Sequence, residues 1–100
     1  MSKCSVTTEN IIVIPEERIG LYNVSPFSKN IEDLIAEGHT NITIDFNNVT
    51  SIDCAGIGVL FKVQKKLLER QGKVKAINVN NQHVQKLFAL SKLNKIITVI

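Results

Sequence analysis

The chain has 100 residues, of which 44% are hydrophobic and 21% charged, with a formal net charge of +3. This balance is typical of a globular protein with one core, so we predict a single domain over residues 1–100 and no disordered tail. No apolar run is long enough to span a membrane, and the opening residues lack the apolar segment of an export signal. We therefore expect a cytoplasmic protein in which Cys4 and Cys54 stay reduced.

Residues 3–14 hold two short strand candidates. Cys4 and Val6 fall on one face of the first, and residues 11–14 are a continuous apolar run. Glu9-Asn10 lies between them and suits a tight turn. The pattern predicts an opening β-hairpin.

A first helix is predicted to begin at Ser25-Pro26, because serine favours the N-cap position and proline the first helical position. Gly38 is expected to end this helix. Its apolar stripe is formed by Phe27, Ile31, Leu34 and Ile35, and Glu32 and Asp33 are expected to face water.

The stretch 41–60 carries the clearest pattern. Apolar and polar residues alternate over 41–46, as in a strand with one buried face. A polar loop follows, and then a helix is predicted from Ala55 to Arg70, with Gly72 ending it. The helical stripe comprises Ile57, Leu60, Phe61, Gln64, Leu67 and Leu68.

Two strands and a helix complete the chain. A strand is predicted over 74–79, Asn80 or Asn81 caps a third helix, and the last strand covers 96–99. The stripe of the third helix is formed by Val84, Leu87 and Phe88. The order β-β-α-β-α-β-α-β, with short loops, predicts an α/β fold in which a mixed, mostly parallel sheet packs against amphipathic helices.

The turn Asp53-Cys54-Ala55-Gly56 stands where open α/β sheets usually bind their ligands, between a strand and the start of a helix. Asp53 is placed to cap that helix. Gly56 and Gly58 are costly in a helix, which indicates either close packing on the sheet or a partner near the backbone. The spacing is no dinucleotide or P-loop motif.

Neither catalysis nor metal binding is predicted. Cys54 at a helix start would need a base to act as a nucleophile, and nothing in the sequence brings His39 or His83 to it. No set of potential ligands has chelating spacing, so no metal or cofactor is expected.

Six basic residues cluster late in the chain: Lys62, Lys65, Lys66, Arg70, Lys73 and Lys75. Nucleic-acid binding would favour aromatic side chains among them, whereas Phe61 belongs to the apolar stripe. We interpret the cluster as a solvated face and predict no nucleic-acid partner.

Three stretches form a recognisable combination: IDFNNVTSIDCAGIGVL, Asn78-Val79-Asn80 and the apolar helix 84–90. With them, the sequence from residue 42 to 97 resembles the STAS domain family, which includes bacterial anti-sigma-factor antagonists. The resemblance implies a non-enzymatic regulatory module that binds a protein partner, such as an anti-sigma factor or another kinase-like protein. In the similar antagonists, the second hydroxyl residue after the aspartate is a serine that the partner phosphorylates.

Three positions of this chain differ from that pattern. Ala55 occupies the phosphorylated position and Cys54 the preceding hydroxyl position, so the resemblance implies binding without phosphorylation at this turn. Gly20 stands where the family often has an acidic residue. The partner-binding residues implied are Gly20, Leu21, Tyr22, Asn23, Asp53, Cys54, Ala55, Gly56 and Ile57.

Other readings stay open at this point. The chain also resembles the small cytoplasmic STAS subunit of phospholipid-transporting ATP-binding cassette complexes, some of which carry a small non-hydroxyl residue at the position of Ala55. A third interpretation is that the start of this helix binds a nucleotide or a small anion. Relatives often add a helix after the last strand, so apolar surface near Ile97, Val99 and Ile100 is expected, and it would suit a homodimer.

Overall fold

The computed structural model describes residues 3–6 and 11–100, with only the backbone strand described for the first of these segments. The turn predicted at Glu9-Asn10 and the side chain of Cys4 lie outside the described residues. The elements in chain order are β1 Lys3–Val6, β2 Ile11–Ile14, β3 Arg18–Ile19, α1 Val24–Ala36, β4 Asn41–Asp45, β5 Ser51–Ile52, α2 Cys54–Leu68, β6 Lys73–Ile77, α3 Gln82–Leu90, the 3-10 helix η1 Leu93–Lys95 and β7 Thr98–Val99.

The main sheet has the strand order β1-β2-β4-β6-β7. β1 runs antiparallel to β2, and the other neighbours are parallel, which confirms the mixed, mostly parallel sheet. One face of its three central strands is fully buried and packs with the helices in a common core: Ile11, Val13, Ile42, Ile44, Val74 and Ala76. The extent of the domain, residues 1–100, stays a prediction.

A second, two-stranded sheet was not predicted from the sequence. In it, β3 pairs with β5 in parallel, Arg18 opposite Ser51 and Ile19 opposite Ile52. Both isoleucines are buried, so this short ladder is fixed to the core. It lies directly before the turns at Gly20 and Asp53.

The apolar stripes of α1 and α3 are as predicted, but one residue of the predicted α2 stripe lies outside the core. Leu68 is 59% exposed and lies in the last turn of α2, outside the core. Gln64, by contrast, is buried, and its Oε1 accepts from the Val74 N–H at 2.8 Å. β7 pairs only with Lys75 and Ala76, so Gln64 supplies the hydrogen-bond partner that no strand offers Val74.

The predicted start of α1 was wrong. The helix begins at Val24, with Asn23 at the N-cap position, so Ser25 is already helical. Pro26 is consequently the third helical residue, where a missing N–H still costs no intrahelical bond. Asn23 does not cap through its side chain, because that side chain serves the preceding turn instead.

The two helix-ending glycines differ in their roles. Gly38 has φ +100° and follows α1 in a Schellman arrangement, with the Gly38 N–H bonded to Ile35 O and the His39 N–H to Leu34 O. After α2 the left-handed residue is Gln71, at φ 61°, so the prediction for Gly72 was wrong. Glycine is required at position 72 because no side chain fits there: an added Cβ would lie 2.0 Å from Thr40 O.

The C-terminal segment is shorter as a strand than predicted. Asn81 caps α3 by accepting from the Val84 N–H at 3.1 Å, which settles the choice between Asn80 and Asn81. η1 then precedes β7, whose strand pairing is limited to Thr98–Val99. Ile97 is buried, contrary to expectation, whereas Val99 and Ile100 are exposed.

Candidate functional site

The site begins with the β3–β5 ladder, which brings two distant turns together. The ladder continues past β3, because the Asp53 N–H donates to Ile19 O at 3.1 Å. Gly20, one residue later, therefore lies beside Asp53 although 33 positions separate them in the chain. The two segments predicted to bind a partner, 20–23 and 53–57, meet at this point.

The carboxylate of Asp53 bonds to both segments. Its Oδ1 accepts from the Ala55 N–H at 2.9 Å and from the Gly56 N–H at 3.2 Å, which confirms the predicted cap of α2. Its Oδ2 accepts from the Leu21 N–H at 3.1 Å. Because this carboxylate already occupies the two helix-start N–H groups, those groups are not available to a phosphate or another external anion.

Asn23 organises the first of the two turns, which covers residues 20–23. Its Oδ1 accepts from the Gly20 N–H at 2.8 Å, while its Nδ2 donates to Arg18 O at 2.6 Å and to Glu16 Oε2 at 3.2 Å. The backbone closes the same turn through the bond from the Asn23 N–H to Gly20 O. The turn that carries Leu21 and Tyr22 is thus fixed before any partner arrives.

Glycine allows this close approach at two places. A Cβ at Gly20 would lie 2.9 Å from Asp53 Oδ2, and a Cβ at Gly56 would lie 2.7 Å from Ile52 Cγ1. Of the two explanations open for Gly56, close packing of α2 is therefore the one that the structure supports. A Cβ at Gly58 would meet nothing within 4 Å.

The predicted contact residues divide by exposure. Leu21 is 78% and Tyr22 75% exposed, and Asp53 and Cys54 are also exposed, with Asn23 and Ala55 half-buried. Gly20, Gly56 and Ile57 are buried, so they support the site from beneath. We name the accessible set the paired-turn surface: Leu21, Tyr22, Asn23, Asp53, Cys54 and Ala55.

The chemical groups of this surface are few. Cys54 is a free, exposed thiol, and no hydrogen bond links it to His39 or His83. Among residues 3–6 and 11–100, no three His, Cys, Asp or Glu side chains come close enough together to hold a metal ion. Across the same ranges, every helix is too short or too polar to cross a bilayer.

Part of the basic cluster is engaged in an ion-pair network between α1 and α2. Glu32 accepts from Lys66, from the Ser28 hydroxyl at 2.9 Å and from Lys62 at 3.3 Å. Bonds from Lys66, Ser28 and Lys62 lower the pKa of Glu32 to about 2. Glu32 was expected to face water and instead ties the two helices together.

The fold and the site define a small α/β protein that presents two fixed turns and holds no recognisable reaction centre among the described residues. Comparison with known proteins gives its family. The family model of the STAS domain matches residues 4–100. The chain therefore belongs to the STAS domain family.

Individual relatives are distant. The protein of Thermotoga maritima named "Putative anti-sigma factor antagonist" is 22% identical over 95 residues, covering 94% of this chain and 83% of its own length. A crystal structure of an anti-sigma factor antagonist from Mycobacterium paratuberculosis matches with a TM-score of 0.88 at 15% identity, covering 99% of this chain and 83% of that one.

The likeness extends to a structure of a phosphorylated relative. The Bacillus cell fate determinant SpoIIAA in its phosphorylated form matches with a TM-score of 0.76 at 20% identity, covering 100% of this chain and 91% of that one. At these identities the structural likenesses establish a shared fold. What the paired-turn surface binds has to be argued from its own residues.

Proposed function

We propose that this protein is a non-enzymatic regulatory module of the bacterial cytoplasm that binds a protein partner through the paired-turn surface, in the manner of an anti-sigma factor antagonist. The observation that most supports the proposal is that the Asp53 carboxylate accepts three hydrogen bonds. These bonds hold both turns together as one rigid unit. A fixed surface loses little conformational entropy on binding, which favours affinity.

The exposed side chains support a protein as the partner. Leu21 and Tyr22 are the two most exposed large hydrophobic side chains in the described part of the chain. Burying such side chains at an interface is more favourable than leaving them in water. Tyrosine in particular is enriched among the residues that dominate binding energy at protein interfaces. Their position next to Asp53 places an apolar anchor beside an acidic group.

We further propose that this binding is not switched by phosphorylation at the α2 turn. Ala55, which the family resemblance places at the phosphorylated position, ends in a methyl group and has no oxygen to accept a phosphoryl group. A phosphate there would add about two negative charges next to Asp53, and this chain lacks that means of repelling a partner. Control of the complex would then rest on the partner or on protein abundance.

The test is partner capture with a Leu21→Ser/Tyr22→Ser double variant. Both side chains point into solvent, so we expect unchanged folding but a loss of capture of about thirtyfold or more from lysate of the source organism. Leu68→Ser is the matched control, because Leu68 is an exposed leucine at the other end of α2. Equal capture by the double variant and the parent would contradict the proposal.

The same experiment reports on the phosphorylation claim. When the captured complex is incubated with ATP and Mg²⁺, mass spectrometry should find residues 53–57 unmodified. A phosphate on this segment would overturn that part of the proposal. The identity of the captured protein separates the two readings of the family, since a sigma-regulating partner and the subunits of a lipid transporter are different proteins.

A further inference from the structure

The seam between α1 and α2 opens into a groove that adjoins the paired-turn surface. The groove has a volume of about 530 Å³ and is lined by Val24, Ser25, Ser28, Lys29, Glu32, Val59 and Lys62. Val24 follows Asn23 directly in the chain, and Val59 lies one helical turn after Ala55. A partner that covers the paired turns would reach this α1/α2 groove next.

The α1/α2 groove is positively charged. Lys62 is 52% exposed and reaches Glu32 at 3.3 Å, and Lys66 from the following turn bonds to the same carboxylate. Lys29 is exposed and makes no ion pair with any residue that the structure describes. The groove itself is lined by two ammonium groups, those of Lys29 and Lys62, and by one carboxylate, that of Glu32, which leaves a net of one positive charge.

The far end of the same seam has the opposite character. A second groove there is lined by the carboxylates of Glu32, Asp33 and Glu69 and by two cations, Lys66 and Arg70. The Arg70 guanidinium also donates to Ile35 O at 2.8 Å. Each groove thus has two cations, but the near groove has one carboxylate and the far groove three, so the net charge is positive at the end nearest the paired turns and negative at the distant end. A ligand with negative charge would be attracted to the near half and repelled by the far half.

We propose that the α1/α2 groove binds an acidic segment of the protein partner, with carboxylates directed at Lys29 and Lys62. This inference rests on the proposed function and adds the chemistry of the partner. Glu32 is neutralised by Lys62 and Lys66 and so does not repel such a segment. A nucleic acid fits less well, because two lysines do not form the extended row of cations that tracks a phosphate backbone.

The experiment uses the ¹⁵N-labelled full chain and a hexaglutamate peptide as the probe, with hexaglutamine as the neutral control. We expect amide shifts centred on Ser25–Lys29 and Val59–Lys62, and none of comparable size with hexaglutamine. The shifts should weaken with added salt, because the contacts are between exposed charges.

Charge-reversal variants identify the cations. Lys29→Glu/Lys62→Glu should weaken peptide binding about tenfold, and Lys86→Glu on α3, an exposed lysine away from the groove, less than about twofold. Lys29→Glu alone should weaken binding about threefold, and because Lys29 makes no ion pair within the described part of the chain, this loss is not caused by a disrupted α1–α2 contact.

Three results would overturn the groove proposal: shifts centred on Lys73, Lys92 or Lys95, an equal effect of Lys86→Glu, or tighter binding of an oligothymidylate than of hexaglutamate. The peptide titration depends on the groove alone. If it fails while the Leu21→Ser/Tyr22→Ser variant still loses partner capture, the proposed function stands and only the acidic character of the partner is wrong.

Discussion

A Gly72→Ala variant is expected to lose about 3 kcal/mol or more of folding free energy, a large effect for the addition of one methyl group. The added Cβ would lie 2.0 Å from Thr40 O and 2.8 Å from Thr40 C. That carbonyl cannot move aside easily, because it accepts from the Lys73 N–H at 2.9 Å where β6 begins beside β4. Relief requires the α2–β6 connection to shift.

Urea and thermal unfolding followed by circular dichroism measure this loss, and we expect the Tm to fall by more than about 10 °C. Gly58→Ala is the matched control, since the same change at an open position of α2 meets no atom within 4 Å. It should stabilise the protein by about 0.5–1 kcal/mol through helix propensity. If both variants unfold like the parent, the account of Gly72 is wrong.

Asp53→Ala is expected to cost about 2 kcal/mol and to release the first turn. The change removes the cap of α2, which is worth about 1–2 kcal/mol, together with the bond to the Leu21 N–H. Hydrogen exchange at Leu21 should therefore speed up markedly, because its amide loses its only hydrogen-bond acceptor that the structure describes. Both effects follow from one carboxylate that serves two segments.

Asp53→Asn separates the two roles. Its single amide oxygen can still cap α2, but its NH₂ group cannot accept from the Leu21 N–H. We expect stability closer to the parent than to Asp53→Ala, with fast exchange at Leu21 in both variants. Slow exchange at Leu21 in Asp53→Ala would show that the carboxylate does not hold the first turn.

The sequence predicts much of this fold because its longer elements carry periodic patterns. β4 alternates at period two and α1 and α2 have clear apolar stripes, so their type and order are confirmed, as is the cap at Asp53. The likeness to the STAS family is also confirmed. The assignment of particular residues to partner binding stays a prediction.

The features that were missed depend on contacts distant in sequence. Two residues each in β3 and β5 are too short to show periodicity, and their pairing places Gly20 against Asp53. Asn23 was expected only to contact a partner, yet its side chain holds the turn at residues 20–23, and Asn23 itself is the N-cap residue of α1. Gly72 was interpreted as a helix end, because the position of Thr40 O cannot be deduced from local sequence.

The central claim is tested most directly by mapping the contact area of the captured partner on the ¹⁵N-labelled chain. We predict that the largest amide shifts and line broadening occur over residues 20–23 and 53–57, with neighbouring effects in the first turns of α1 and α2. A contact area confined to the face of the main sheet that carries Asn41 and Lys73, with both turns unaffected, would contradict the account.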